Sequence, residues 1–100
     1  MNLNDAAQML INHEFEVVII GCDPYPWKRI EISKTTLSGE RILFVSATVL
    51  DEGDVSYWLG NAIRYGLKIL GPSEKACINK INKKCMHTLL QIAERIENER

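Results

Sequence analysis

The amino-acid sequence predicts an α+β fold: one domain over residues 1–100, elements in the order α-β-β-β-α-α, and a three-stranded antiparallel sheet packed against two C-terminal helices. Three observations lead there. Between Glu14 and Thr48 the apolar residues fall in short β-branched or alternating runs separated by turn formers, the pattern of strands. From Val55 onward they recur every three or four positions, the pattern of helices buried along one side. The charge changes with the period. Residues 1–60 carry nine acids and four bases, residues 61–100 carry four acids and eight bases, and a net of −5 is thus followed by +4 in a chain whose total is −1.

Asn2 or Asn4 is placed to cap a first helix, because either amide oxygen can accept from a free N–H of the first turn. Ala6, Met9 and Leu10 then share one face, and Asn12 marks the exit. Strand one is expected over about 14–21. Its core, Val17-Val18-Ile19-Ile20, is β-branched throughout and lacks alternation, which predicts burial on both faces. Asp23-Pro24-Tyr25-Pro26 cannot continue a ladder, since two prolines remove two donors. Strand two, about 27–34, alternates Ile30 and Ile32 with Arg29 and Glu31. Leu37-Ser38-Gly39-Glu40 reads as a hairpin turn in which Gly39 is free to adopt positive φ. Strand three, about 41–48, has apolar side chains of both parities (Ile42, Phe44; Leu43, Val45), which predicts a central strand or one covered on both sides. Asp51-Glu52-Gly53-Asp54 forms an acidic loop, and Asp54 or Ser56 caps a helix over about 55–70 with Trp58, Leu59, Ile63, Leu67 and Leu70 at core spacing. Gly71-Pro72 ends it. The last helix begins near Ser73 and Glu74 and carries a narrow stripe of Ile78, Ile81, Cys85, Leu89, Ile92 and Ile96, suited to a partner helix.

The composition bounds the function. A hydrophobic fraction of 46% with 25% charged residues is that of a soluble globular chain. No run of about 18 apolar residues spans a membrane, and the start lacks the basic-then-apolar pattern of a signal peptide. Three widely spaced cysteines (Cys22, Cys77, Cys85) fit a reduced, cytoplasmic protein. His13, His87 and these cysteines show no metal-ligand spacing, so no metal is expected. Cys22 beside Asp23 lacks an adjacent base, and a neighbouring carboxylate would raise a thiol pKa, so it makes a poor nucleophile. The glycines are scattered without a phosphate-binding loop. No cofactor, no small-molecule substrate and no enzymatic activity are expected.

Two charged clusters remain. Lys75, Lys80, Lys83 and Lys84, with Arg64 and Lys68 nearby, form a basic group that serves either as a solvated helix face or as a phosphate contact. Glu14, Asp23, Glu40, Asp51, Glu52 and Asp54 gather at turns, where they keep loops wet and cap helices or act together as a surface for a basic cleft.

The first two-thirds of the chain resembles the small type II-A anti-CRISPR proteins, which block an RNA-guided nuclease by imitating the PAM duplex. The residues that carry the resemblance are Met1-Asn2, Asn4-Asp5, Asn12, the acid-aromatic pair Glu14-Phe15, Val17, Gly21 with Asp23, the strand-two isoleucines, the glycine hairpin ending in Glu40, and an acidic lead into an aromatic helix reaching Gly66. The resemblance covers about residues 1–66. It implies a non-catalytic inhibitor in the host bacterial cytoplasm, bound to a CRISPR effector protein and occluding its nucleic-acid cleft. The implied contact residues are Glu14, Ser38, Gly39, Glu40, Asp51 and Glu52. The chain departs from that family at Ser38, which replaces the family's acid before the hairpin glycine, in Arg64, Lys68 and Lys75, which replace its acidic third segment, and in a longer basic last helix. A second expectation, from another class, is a homodimer paired through Ile78, Ile81, Cys85, Leu89, Ile92 and Ile96, whose doubled field of Lys75, Lys80, Lys83 and Lys84 meets nucleic acid.

Overall fold

The computed structural model describes residues 1–50, 55–68 and 83–98. Helix α1 (Leu3–Asn12) leads into strands β1 (Glu16–Gly21), β2 (Lys28–Thr35) and β3 (Arg41–Val49), followed by α2 (Val55–Lys68) and α3 (Lys83–Asn98). Of the two candidate caps for α1, Asn2 is the one used. Its backbone is extended, and its Oδ1 accepts from the Asp5 N–H at 2.8 Å. Of the two expected caps of α2, Ser56 falls inside the helix and so does not precede it, while Asp54 and the expected start of the last helix lie outside the described residues.

The sheet is antiparallel in the order β1-β2-β3. β2 is therefore the central strand, and two sequence expectations are corrected. β1 is an edge strand with Val18, Ile19 and Ile20 exposed by 44%, 37% and 45%. Its β-branched run reports strand propensity, which is a fit to the pleat and not burial on two faces. β3 is the other edge. Its mixed parity comes from a bulge: Val45 lies opposite Ile32 but Leu43 lies opposite Ser33, which leaves Phe44 as an extra residue. The bulge moves the inward set from Val45 and Val49 to Phe44 and Ile42, all buried, and leaves Leu43 facing out.

The core sits on one side of the sheet. Ile30 and Ile32 from β2, Phe44 and Val45 from β3, and Leu3 and Leu10 from α1 meet the buried stripes of α2 (Val55, Leu59, Ile63, Leu67) and α3 (Cys85, Leu89, Ile92, Ile96). Each such aliphatic side chain contributes about 1.5–3 kcal/mol on full burial. Trp58, expected in this core, is 42% exposed, because it lies a quarter-turn off the stripe running through 55, 59, 63 and 67. Phe15 packs edge-on against Phe44, with centroids 6.0 Å apart.

The stripe on the last helix already has its partner. Cys85, Leu89, Ile92 and Ile96 are buried inside the chain's own core, so they are not available as the surface of a second copy. Ile78 and Ile81 lie outside the described residues. Across the α2–α3 seam, Arg64 pairs with Glu97 (Nε to Oε1, 3.1 Å) and Glu94 (3.8 Å). That engagement takes Arg64 out of the expected basic patch.

Candidate protein-binding surface

Antiparallel pairing brings two of the expected contact regions together. Glu16 at the start of β1 lies opposite Ser33 near the end of β2, so the α1–β1 junction and the β2–β3 hairpin share one end of the sheet. At the junction, α1 ends in a Schellman motif. The Phe15 N–H reaches back to Leu10 O (3.1 Å), the Glu14 N–H reaches Ile11 O (2.9 Å), and Phe15 and Leu10 are both buried. The motif needs a left-handed residue between them, usually glycine, and Glu14 occupies that place with φ 67°. A glutamate held there is strained at a position where strain and function often coincide.

The hairpin is built around Thr36. Its N–H donates to Glu40 O (2.8 Å), its carbonyl accepts from the Gly39 N–H (2.9 Å), and its hydroxyl accepts from the Glu40 N–H (3.1 Å) and lies 2.8 Å from Ser38 Oγ. Gly39 takes φ 90°, which closes a three-residue loop of Leu37, Ser38 and Gly39. This fastening leaves Leu37, whose side chain is wholly exposed, in the loop beyond the end of the sheet, with Ser38 next to it and Glu40 closing the loop. Leu37 was legible only as a turn residue; its projection depends on the loop closure.

The acids at this end are interleaved with bases. Lys34 extends over the Phe15 ring, 5.0 Å from its centroid. An open groove of about 490 Å³ beside Glu14 is lined by Asn12, His13, Phe15, Lys34, Lys84, Cys85 and Thr88. Burial raises the Cys85 thiol above its ordinary pKa, and the nearby Lys34 charge opposes that shift only in part. The open sheet face next to the hairpin is also balanced. Glu31 holds both Arg29 (3.4 Å) and Arg41 (3.5 Å). Arg29 donates to Ser46 Oγ from two nitrogens (3.1 and 2.8 Å), and Arg41 donates to Ser33 Oγ (3.1 Å). Ser33 and Thr35 hydroxyls donate to Glu16 (3.3 and 2.7 Å).

The other expected contacts divide. β3 runs from the hairpin at Arg41 to Val49, about 25 Å away at the strand rise, and the chain leaves the sheet at that far end. Asp51 and Glu52, which follow, lie outside the described residues, as do Lys75 and Lys80. Lys83 and Lys84 are exposed in the first described turn of α3. At the far end a Cys22–Tyr25 turn contains a cis Asp23–Pro24 bond, and Tyr25 stacks on Trp27 with centroids 4.3 Å apart and planes 8° from parallel. This aromatic pair was not singled out from sequence, since stacking depends on the turn that separates the two residues. Among the described residues, no group of three His, Cys, Asp or Glu side chains converges as a metal site, and no helix is long and apolar enough to cross a membrane. Comparison of the chain with protein-family models, with curated proteins and with solved structures gave no match in any of the three.

Proposed function

We propose that this chain is a small non-catalytic inhibitor of a bacterial defence nuclease: an anti-CRISPR protein that acts in the host cytoplasm by covering the effector's nucleic-acid-binding cleft. The observation that carries the reading is the fastened β2–β3 hairpin, which holds the exposed Leu37 in one tight loop with Ser38, just ahead of Glu40, at the same end of the sheet as the strained Glu14. A rigid projecting apolar residue rimmed by polar groups suits a protein pocket, because the entropy of ordering the loop has already been lost on folding. Glu14 and Glu40 supply negative charge toward a basic cleft. Lys34, Arg41 and Lys84 at the same end make the surface charge-mixed, so its contacts include steric and apolar ones besides imitation of phosphates.

The test is inhibition of an RNA-guided effector's DNA binding by excess purified protein. Leu37→Asp and the pair Glu14→Ala with Glu40→Ala are each expected to weaken binding at least about tenfold, a change of about 1.4 kcal/mol. A protein that in excess neither binds an effector nor reduces its DNA binding refutes the reading. Retained inhibition by the folded triple variant refutes the assignment of the surface.

A further inference from the structure

We propose that two copies of this chain pair through their β1 edges to form one continuous six-stranded antiparallel sheet. The inference starts from the strand itself. Among the described residues β1 pairs with β2 on one side only, so its other side presents a row of backbone N–H and C=O groups. Edge strands are ordinarily blunted by a lysine, a proline, a bulge or a cover. Glu16–Gly21 contains neither lysine nor proline, its pairing with β2 is regular from end to end, and its middle three residues are large, apolar and more than a third exposed. The opposite edge differs: β3 carries the Phe44 bulge and has α2 packed along it, with the Phe44 carbonyl against Gly66.

The chemistry of the strand selects a second copy as the occupant. A two-fold axis normal to the sheet keeps each face on its own side, so residues of like parity must pair. With Val18 opposite the partner's Val18, the open face matches Ile20 with the partner's Glu16, and the core face matches Val17 with the partner's Ile19, twice over by symmetry. Apolar residues then meet apolar residues at the centre, and no like charges stand opposite. Each Glu16 then lies two strand spacings, about 10 Å, from the partner's Arg29, because Arg29 lies opposite Ile20 in the β1–β2 pair, a distance at which opposite charges attract only weakly. The register thus joins the backbones with an apolar centre and without charge conflict, and the longer-range Glu16–Arg29 attraction favours a second copy. This pairing uses neither the β2–β3 hairpin loop nor the buried stripe of α3, and it is independent of the inhibitor reading.

A single strand pair buries a small interface, so a dissociation constant on the order of 10 μM is expected. Sedimentation equilibrium of the purified full chain, from about a tenth to ten times that value, is expected to show monomer converting to dimer. Val18→Lys sets two ammonium groups opposite each other on the axis, while in the single chain this side chain points to solvent; it is expected to leave helix content unchanged and to weaken the dimer at least about tenfold. Val18→Cys in a Cys22→Ser background is expected to crosslink to its twin under mild oxidation, whereas Tyr65→Cys on the exposed side of α2 is expected not to. A chain that stays monomeric throughout overturns the proposal. So does a dimer that survives Val18→Lys and gives no crosslink through residue 18. A monomer whose binding to an effector is lost on Val18→Lys likewise overturns it, in favour of a strand supplied by the target.

Discussion

Glu14 offers the sharpest separation of strain from charge. It is a non-glycine residue at φ 67° in the left-handed position of a Schellman motif, where the Cβ crowds its own carbonyl. That conformation costs an L-residue about 1–2 kcal/mol, whereas glycine adopts it freely but loses about 0.5–1 kcal/mol more backbone entropy on folding. The difference leaves Glu14→Gly about 0.5–1 kcal/mol more stable than Glu14→Ala. For a domain of this size, that range corresponds to a rise in melting temperature of roughly 2–8 °C. Glu14→Ala removes the carboxylate and keeps the strain, so it should unfold within about 0.5 kcal/mol of the wild type. Urea titration of the three proteins reads the stability difference, and effector binding reads the charge. Both variants should bind less well than the wild type, and by the same factor, because both lack the carboxylate. If Glu14→Gly unfolds at or below the urea concentration of Glu14→Ala, the backbone at this junction is not strained as described. If the two variants differ in binding, the loss belongs to loop geometry and not to charge.

Four further outcomes follow from the packing. A Cβ at Gly66 would collide with the Phe44 carbonyl, a backbone atom at the bulge that cannot swing away, so Gly66→Ala should destabilise by about 2–4 kcal/mol in urea despite alanine's better helix propensity. Leu89 is fully buried within the chain, so Leu89→Ala should cost about 2–5 kcal/mol of folding stability and leave the monomer–dimer constant unchanged when measured on folded protein. The Cys85 thiol is raised by burial above its ordinary value of 9.0, so the unfolded chain loses that proton first as pH increases. The contribution of Cys85 to stability is therefore fully present below pH 9.0 and falls as pH rises past it, which urea midpoints of wild type against Cys85→Ala, compared at pH 8 and about pH 10, will show as a shrinking difference. Peptide-mapped thiol labelling of the native protein should likewise modify Cys22 well before Cys85.

Much of the fold was legible because local chemistry and fold agree. Asn2 could be read as a cap, Asp23-Pro24 as a break, Gly39 as the positive-φ residue of a hairpin, and the spacing through Leu59, Ile63 and Leu67 as a buried helix face, since each depends on atoms within a few residues. Burial was less legible. The run Val17 to Ile20 has the composition of a buried strand yet lies at an edge, and Phe44 and Val45 both point inward because a bulge changes the parity of β3. The stripe on the last helix showed that something covers it but did not identify the cover.

For the candidate surface, the sequence by itself determined which side chains carry charge and which turns hold them in the open. Only the tertiary structure decided their company. It set Glu14 beside the hairpin, threaded Lys34, Arg41 and Lys84 among the acids, and held Leu37 out at the tip. The reason is physical. Charge, caps and turn preferences reside in single residues and their near neighbours, whereas proximity between residues 14, 34 and 84 is a property of strand order and helix docking, which depend on how the whole chain buries its apolar surface.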